Sequence, residues 1–238
     1  MKKKIVVFSG AGLDKESGIS TFRDTKDGMW NNHKIDEVAT PEGWEKDPER
    51  VLAFYNERRR EMPTVTPNRA HKALVDLEED YDVVHVTQNV SDLLERAGAS
   101  KIYHLHGELT KARGEKLTNG FQITDIGYND INLGDVCEIS GSQLRPNIVW
   151  FGEMPFFVER SYQAIENADI LLIIGTSLQI TYTLHMLQAI KHGCRVIYID
   201  PEPSNDLSNY GMKIEYIRES AEKGVTALVE KLLDDAQK

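Results

Sequence analysis

The chain has 238 residues, 40% of them apolar and 28% charged, which is enough for a sizeable hydrophobic core. Lys and Arg number 28 against 38 Asp and Glu, a net charge of −10 that argues against nucleic acid as a partner. Two cysteines, Cys137 and Cys194, are too few for a disulfide framework, and no apolar run approaches the ~20 residues of a bilayer span, so a cytoplasmic setting without a membrane partner is expected.

The first predicted strand, Lys4–Phe8, runs into the turn Ser9-Gly10-Ala11-Gly12. Such a turn lets backbone N–H groups approach a phosphate, and a following helix N-terminus adds a favourable dipole. It departs from the plain dinucleotide fingerprint, which needs a third glycine where Lys15 stands; the next glycine is Gly18. Helices are predicted over Pro48–Met62, with Val51, Leu52 and Tyr55 at helical spacing, and over Pro67–Glu79. Strand Asp82–Thr87, helix Val90–Ala97 and strand Lys101–His104 follow, with Gly98 as a helix stop. Residues 108–146 are polar and glycine-punctuated and read as an inserted module of turns and short strands. Strand Asn147–Phe151, helix Val158–Asn167 and strand Asp169–Ile174 come next. The unbroken run Ile170-Leu171-Leu172-Ile173-Ile174 fits a strand buried on both faces of a parallel sheet. Helix Tyr182–His192 (stopped by Gly193), strands Arg195–Asp200 and Lys213–Ile217, and helix Ala221–Ala236 complete the set. The alternation predicts a doubly wound α/β fold with a small inserted domain.

Ligands of open α/β sheets bind outside the carboxyl ends of the strands. The residues expected there are Gly10-Ala11-Gly12, Thr87-Gln88-Asn89, His104-Leu105-His106-Gly107, Phe151-Gly152-Glu153, Gly175-Thr176-Ser177 and Asp200-Pro201-Glu202. Asp200 can accept both hydroxyl hydrogens of a ribose, or simply open a turn before Pro201. The Gly-Thr-Ser turn can hold a pyrophosphate or cap a helix. His106 can take a proton near neutral pH or serve as a structural histidine. Asn89 can hold a water or a ribose hydroxyl. No cysteine or serine sits in a nucleophile setting and no metal-binding motif is present, which favours chemistry in which substrate groups attack.

These blocks, in this order, resemble the sirtuins, the NAD-dependent protein deacylases. The family pattern Gly-Ala-Gly-Ile-Ser-x-x-Ser-Gly-Ile-Pro-x-Phe-Arg lies on Gly10–Arg23, and Thr-Gln-Asn-Ile-Asp lies on Thr87–Ser91. The His-Gly pair is His106-Gly107, Arg-Pro-x-Val-Val-x-Phe-Gly-Glu lies on Arg145–Glu153, and Gly-Thr-Ser-Leu-x-Val lies on Gly175–Ile180. The resemblance implies a Rossmann-like large domain, about residues 1–23, 81–107 and 145–238. Insertions at about 24–80 and 108–144 would form the small domain. It implies an acyl-lysine peptide and NAD meeting in a cleft, giving nicotinamide and O-acyl-ADP-ribose. His106 would deprotonate a ribose hydroxyl and Asn89 would orient the ribose or a water. Gly10, Ala11, Gly12, Asp14 and Ser17 would bind NAD, with Thr21, Phe22, Arg23 and Trp30. Gln88, Ser91, Gly175, Thr176, Ser177, Asp200, Glu202 and Ala221 would complete that site. The peptide would add as a strand between the Phe151–Met154 segment, which includes Gly152 and Glu153, and Leu178–Ile180. Phe54–Arg60 further resembles the bacterial and mitochondrial subgroup that removes succinyl and malonyl groups, in which a Tyr-x-x-Arg pair, here Tyr55 and Arg58, binds the acyl carboxylate. A monomer is expected.

The chain departs from the pattern in three ways. Sirtuins carry zinc-binding cysteines between His-Gly and Arg-Pro, whereas residues 108–144 hold only Cys137, with Gly114 at the first ligand position. No structural zinc is expected, and Leu117, Phe121, Ile123, Ile126 and Tyr128 are candidates to hold the module. The family's serine and aspartate have changed places, as Asp14 and Ser91, which predicts either one carboxylate and one hydroxyl still sharing the nicotinamide pocket or a lost or altered activity. Ser20 and Tyr182 replace prolines, and Asp200 replaces an asparagine. The alternatives are an NAD hydrolase or ADP-ribosyltransferase, or a silent NAD or ADP-ribose sensor. Residues 24–33 are expected to form a lid over the cofactor.

Overall fold

The structure, a computed structural model, describes residues 2–20, 35–116, 122–203 and 213–237. Strand β1 (Lys4–Ser9) leads through helices α1 (Ile35–Val38), α2 (Pro41–Lys46), α3 (Pro48–Glu61) and α4 (Arg69–Asp76) to β2 (Asp82–Thr87). Helix α5 (Leu93–Ala97) and strands β3 (Ile102–His104), β4 (Gly107–Gly114), β5 (Ile123–Asp125) and β6 (Leu144–Ile148) follow. The C-terminal half holds α6 (Val158–Glu166), β7 (Ile170–Ile174), α7 (Thr181–Leu187), β8 (Arg195–Ile199), β9 (Ile214–Ile217) and α8 (Ala221–Ala236). None of the described helices is long and apolar enough to cross a membrane.

The main sheet is parallel, in the order β3-β2-β1-β7-β8-β9. Period-two alternation sends Ile5, Val7, Leu172, Ile174, Ile197 and Ile199 to the α4/α8 side, where Leu74, Val225 and Leu228 cover them. Val6, Phe8, Leu171, Ile173, Val196 and Tyr198 face the other way, under Ile165 of α6 and Leu187 of α7. Both faces are dry, which is why the strands read as unbroken apolar runs. The strand order reverses between β1 and β7, so the ligand crevice opens there.

Three expectations are corrected. The strand expected over Asn147–Phe151 does not join the main sheet. It is β6, it ends at Ile148, and it pairs antiparallel with β4 in a second sheet ordered β5-β4-β6. The chain leaves the main sheet at Gly107, whose φ of +82° and contact with the Asn147 carbonyl leave no room for a Cβ. A short apolar run carries no signal of which sheet it will enter. The described part of the stretch 24–80 divides between the two sheets. Helices α1–α3 pack with the small sheet through Val38, Trp44, Leu52, Phe54 and Tyr55 against Leu109, Ala112 and Trp150. Helix α4 lies on the main sheet instead, because Ala70, Ala73, Leu74 and Leu77 give it an apolar stripe that α8 can cover. Helix α7 stops at Leu187, well before Gly193.

The small module is held otherwise than the apolar candidates suggested. Ile123 and Tyr128 are exposed, Ile126 packs at the edge of the core, and Leu117 and Phe121 lie outside the described residues. The clasp comes from α3. Asn56 donates to the Ile131 carbonyl (2.9 Å) and accepts from its N–H (3.0 Å). Arg59, fully buried, donates from Nε to the Leu109 carbonyl (2.6 Å) and from Nη1 to the Asn56 amide oxygen (2.6 Å). Burial pulls the pKa of Arg59 down to about 10. Around Gly114 stand Ser140, Ser142 and Cys137, so close that a Cβ on Gly114 would meet their atoms at 2.7, 2.8 and 3.1 Å. One thiol and two hydroxyls do not fit the Cys and His donor set of a structural zinc. Replacing Asn56 with Ala removes the Ile131 pairing and an acceptor of a buried guanidinium. It should lower unfolding stability by about 3 kcal/mol, measured by urea titration.

Candidate active site

A cavity of about 1550 Å³ lies between the two sheets at the β1/β7 reversal. That exceeds the roughly 1,000 Å³ at the upper end of single small-ligand pockets and leaves room for two reactants. Gly10, Ala11, Gly12, Asp14, Gln88, Asn89, Ser91 and His106 line it. So do Gly175, Thr176, Ser177, Leu178, Asp200, Glu202 and Ala221. Tyr55, Arg58, Phe151, Gly152 and Glu153 form the opposite wall, although the last three do not end a strand of the main sheet. Ser17 does not line the cavity. Thr21, Phe22, Arg23, Trp30 and the expected lid over 24–33 lie outside the described residues.

The floor is made where the turns after β1 and β7 touch. Gly10 N–H donates to the Ile174 carbonyl (3.0 Å) and Gly12 N–H to the Gly175 carbonyl (2.8 Å). A Cβ on Gly12 would lie 2.5 Å from the Gly175 Cα, and one on Gly175, whose φ is +57°, would lie 2.5 Å from the Gly12 Cα. The glycines are therefore required by backbone-to-backbone packing before any ligand enters. The expected helix after this turn is replaced by two single 3-10 turns, Ala11–Leu13 and Lys15–Ser17, which leave little aligned dipole for a phosphate.

Asp14 is buried at the centre of a polar network. Its Oδ2 accepts from Ser91 Oγ (2.7 Å) and its Oδ1 from Asn89 Nδ2 (2.8 Å). Asn89 Nδ2 also donates to the Gly10 carbonyl (3.0 Å). His71 adds a contact that sequence reasoning missed. The Asn68 backbone N–H donates to His71 Nδ1 (3.3 Å), so Nε2 carries the ring hydrogen and donates to Asp14 Oδ1 (3.2 Å). The signal was present as the N-cap sequence Asn68-Arg69-Ala70-His71, but only tertiary packing aims its histidine at Asp14. From behind, His104 Nδ1 donates to the Asn89 carbonyl (2.8 Å) while Nε2 pairs with Glu95 (2.7 Å). Burial pulls the His104 pKa down, but Glu95 outweighs it and the net shift is upward.

His106 belongs to a second network. Burial drives its pKa down to about 4, against a hydrogen bond to the Gln88 backbone, so the ring is neutral at ordinary pH. Its Nε2 meets the Tyr182 hydroxyl at 2.6 Å. Thr176 Oγ1 donates to Gln88 Oε1 (2.7 Å), and Tyr198 donates to the Thr176 carbonyl (2.5 Å). The turns after β2, β3 and β7 are thus hydrogen-bonded into one surface.

On the far wall, the Arg58 guanidinium lies 3.3 Å over the Phe54 ring and donates to the Phe54 carbonyl (2.7 Å). The Tyr55 hydroxyl accepts from Trp150 Nε1 (3.2 Å), and burial raises its pKa. Glu153 was expected to face the substrate. Its carboxylate instead accepts from Arg145 (2.7 and 3.0 Å), Arg113 (3.1 and 3.2 Å) and the Trp150 N–H (2.8 Å). Burial opposes its ionisation, yet these donors hold its pKa below the usual range. The side chain braces the wall, and Leu178 likewise packs its side chain into the main core.

The Sir2 family profile matches residues 10–182. The chain is 46% identical, over 98% of its length and 99% of the relative's, to a Helicobacter pylori protein named NAD-dependent protein deacylase. It is similar in fold to the structure of a Sir2 homolog–NAD complex, with a TM-score of 0.83 and 33% identity over 99% of this chain and 91% of that one. A mutant Sir2 homologue bound to ADP-ribose superposes with a TM-score of 0.85 and 33% identity, covering 99% and 94%. The match spans the glycine turn, both polar networks and the small module, and on it the chain belongs to the Sir2 family.

Proposed function

We propose that this chain is an NAD-dependent protein-lysine deacylase that releases nicotinamide and transfers the acyl group to ADP-ribose. The observation that carries the reading is the pairing of a neutral, half-buried His106 with a doubly anchored Asn89 on one cavity floor. Gly10–Gly12, Thr176, Ser177, Asp200 and Glu202 form the rim that would hold the dinucleotide. NAD would supply an electrophilic ribose carbon and its leaving group. His106 accepts a proton from a ribose hydroxyl, a task suited to a ring that burial keeps neutral. Asn89 orients that ribose, and Asp14 with Ser91 offers a carboxylate and a hydroxyl to the nicotinamide amide. The exchange of aspartate and serine keeps both groups in one pocket, because the two side chains are hydrogen-bonded to each other.

The acyl-lysine peptide enters along the wall of Phe151 and Gly152, next to Trp150, whose N–H donates to the Glu153 carboxylate. Tyr55 and Arg58, on one face of α3, give that wall a phenol and a guanidinium suited to an acyl carboxylate. This favours a succinyl- or malonyl-type substrate, and it favours deacylation over NAD hydrolysis, ADP-ribosyl transfer or sensing. A soluble monomer without affinity for nucleic acid fits the net charge.

One assay separates these readings: nicotinamide release is followed with acetyl-, succinyl- and unmodified lysine peptides. Release that depends on an acylated peptide supports deacylation, release without any peptide supports hydrolysis, and binding without release supports a sensor. Arg58→Met should raise KM for the succinyl peptide by about tenfold or more while leaving the acetyl peptide within about twofold. Asp14→Asn keeps the side chain's size but removes its charge, and should weaken inhibition by nicotinamide about tenfold in steady-state assays. The pH profile follows from the sign of the His106 shift. The base form is the neutral ring, and its pKa is lowered to about 4, so kcat/KM should hold steady as pH falls from neutrality and decline only as that value is approached. A decline centred near the ordinary histidine value of about 6.5 would show that His106 titrates without the burial seen here.

A further inference from the structure

Tyr182 stands where the sirtuin pattern has proline, and its phenol meets the one nitrogen of His106 that can act as a base. The other nitrogen is committed to the Gln88 backbone carbonyl, so Nε2 presents a lone pair and the Tyr182 hydroxyl donates to it at 2.6 Å. The two rings meet edge to face, 85° apart, with centroids separated by 6.1 Å. The Gln88 side chain hydrogen-bonds the same phenol, and Gln88 is fixed in turn by Thr176. Both Tyr182 and His106 line the cavity.

A single lone pair takes one donor. A ribose hydroxyl therefore reaches His106 either by displacing the phenol or by passing its proton through it. Displacement strips a half-buried phenol and the Gln88 amide of their partners, while passage leaves every partner in place. We propose that Tyr182 is a proton-relay residue of this enzyme, standing between the substrate ribose hydroxyl and His106. This rests on the reading of His106 as the base. In the step, the substrate O–H bond breaks and its proton goes to the phenol oxygen. The phenol's own O–H bond breaks and that proton goes to Nε2. The electron pair stays on the substrate oxygen, His106 becomes an imidazolium, and Tyr182 ends as a neutral phenol. The burial that raises the Tyr182 pKa disfavours a free phenolate, so the two transfers are concerted.

The test compares wild type, Tyr182→Phe and His106→Ala, each with NAD and acyl peptide, alongside calorimetric binding of ADP-ribose and ¹⁵N NMR of the His106 ring. In Tyr182→Phe, kcat should fall at least tenfold, ADP-ribose should bind within about twofold of wild type, and the Nε2 resonance should move downfield as its donor is lost. A kcat within threefold of wild type, or above it, overturns the relay and marks the phenol as a plug. A crystal structure of wild type with ADP-ribose needs no variant to fold. It should show the phenol between a ribose hydroxyl and Nε2, and a ribose hydroxyl bonded directly to Nε2 overturns the relay. His106→Ala should abolish deacylation in every case; activity retained there overturns the proposal at the base rather than at the phenol.

Discussion

The cleft depends on one backbone contact, the touching of the Gly12 and Gly175 turns. β1 and β7 are neighbours in the sheet, but their chains leave it in opposite directions, and that divergence opens the crevice. The turns meet with Cα atoms so close that neither residue can carry a Cβ, and the Gly12 N–H is spent on the Gly175 carbonyl. This fixes the floor of the cavity and the spacing of everything placed on it. Gln88, reached from β2, bridges to Thr176 across the same floor. Asn89 donates back to the Gly10 carbonyl.

Two polar networks rise from that floor and give it chemical asymmetry. Around Asp14, donors from Ser91, Asn89 and His71 converge on one side chain, so its burial is compensated by hydrogen bonds. Around His106 the logic is the reverse: burial with few partners keeps a ring neutral. His104, a close neighbour in the chain, is held toward the protonated state by Glu95. Their surroundings alone set the two histidines apart, one held toward the protonated state while it anchors the Asn89 backbone and the other kept neutral.

The small module is organised by buried guanidiniums. Arg59 ties α3 to β4, while Arg113 and Arg145 grip Glu153, with Arg145 also 3.1 Å over the Trp150 ring. Each is expensive to bury and held by fixed acceptors, so the arrangement favours one geometry over alternatives. The result is a braced wall across the cleft from the glycine floor, with Tyr55 docked on Trp150.

The residue pattern alone determined the doubly wound parallel sheet, because strands buried on both faces must be nearly all apolar. It also determined most of the cleft, because polar residues at strand ends in such a sheet have one place to go. Gly10, Asn89, His106, Thr176 and Asp200 were legible for that reason. Tertiary structure decided what pattern cannot encode. It assigned the Asn147–Ile148 run to the small sheet, since a short apolar strand fits either. It turned the Glu153 carboxylate inward to two arginines, since a wall residue and a ligand residue look alike in sequence. It brought His71 to Asp14 and Tyr182 to His106 across 57 and 76 residues of chain, separations at which only packing, and no local propensity, sets which side chains meet.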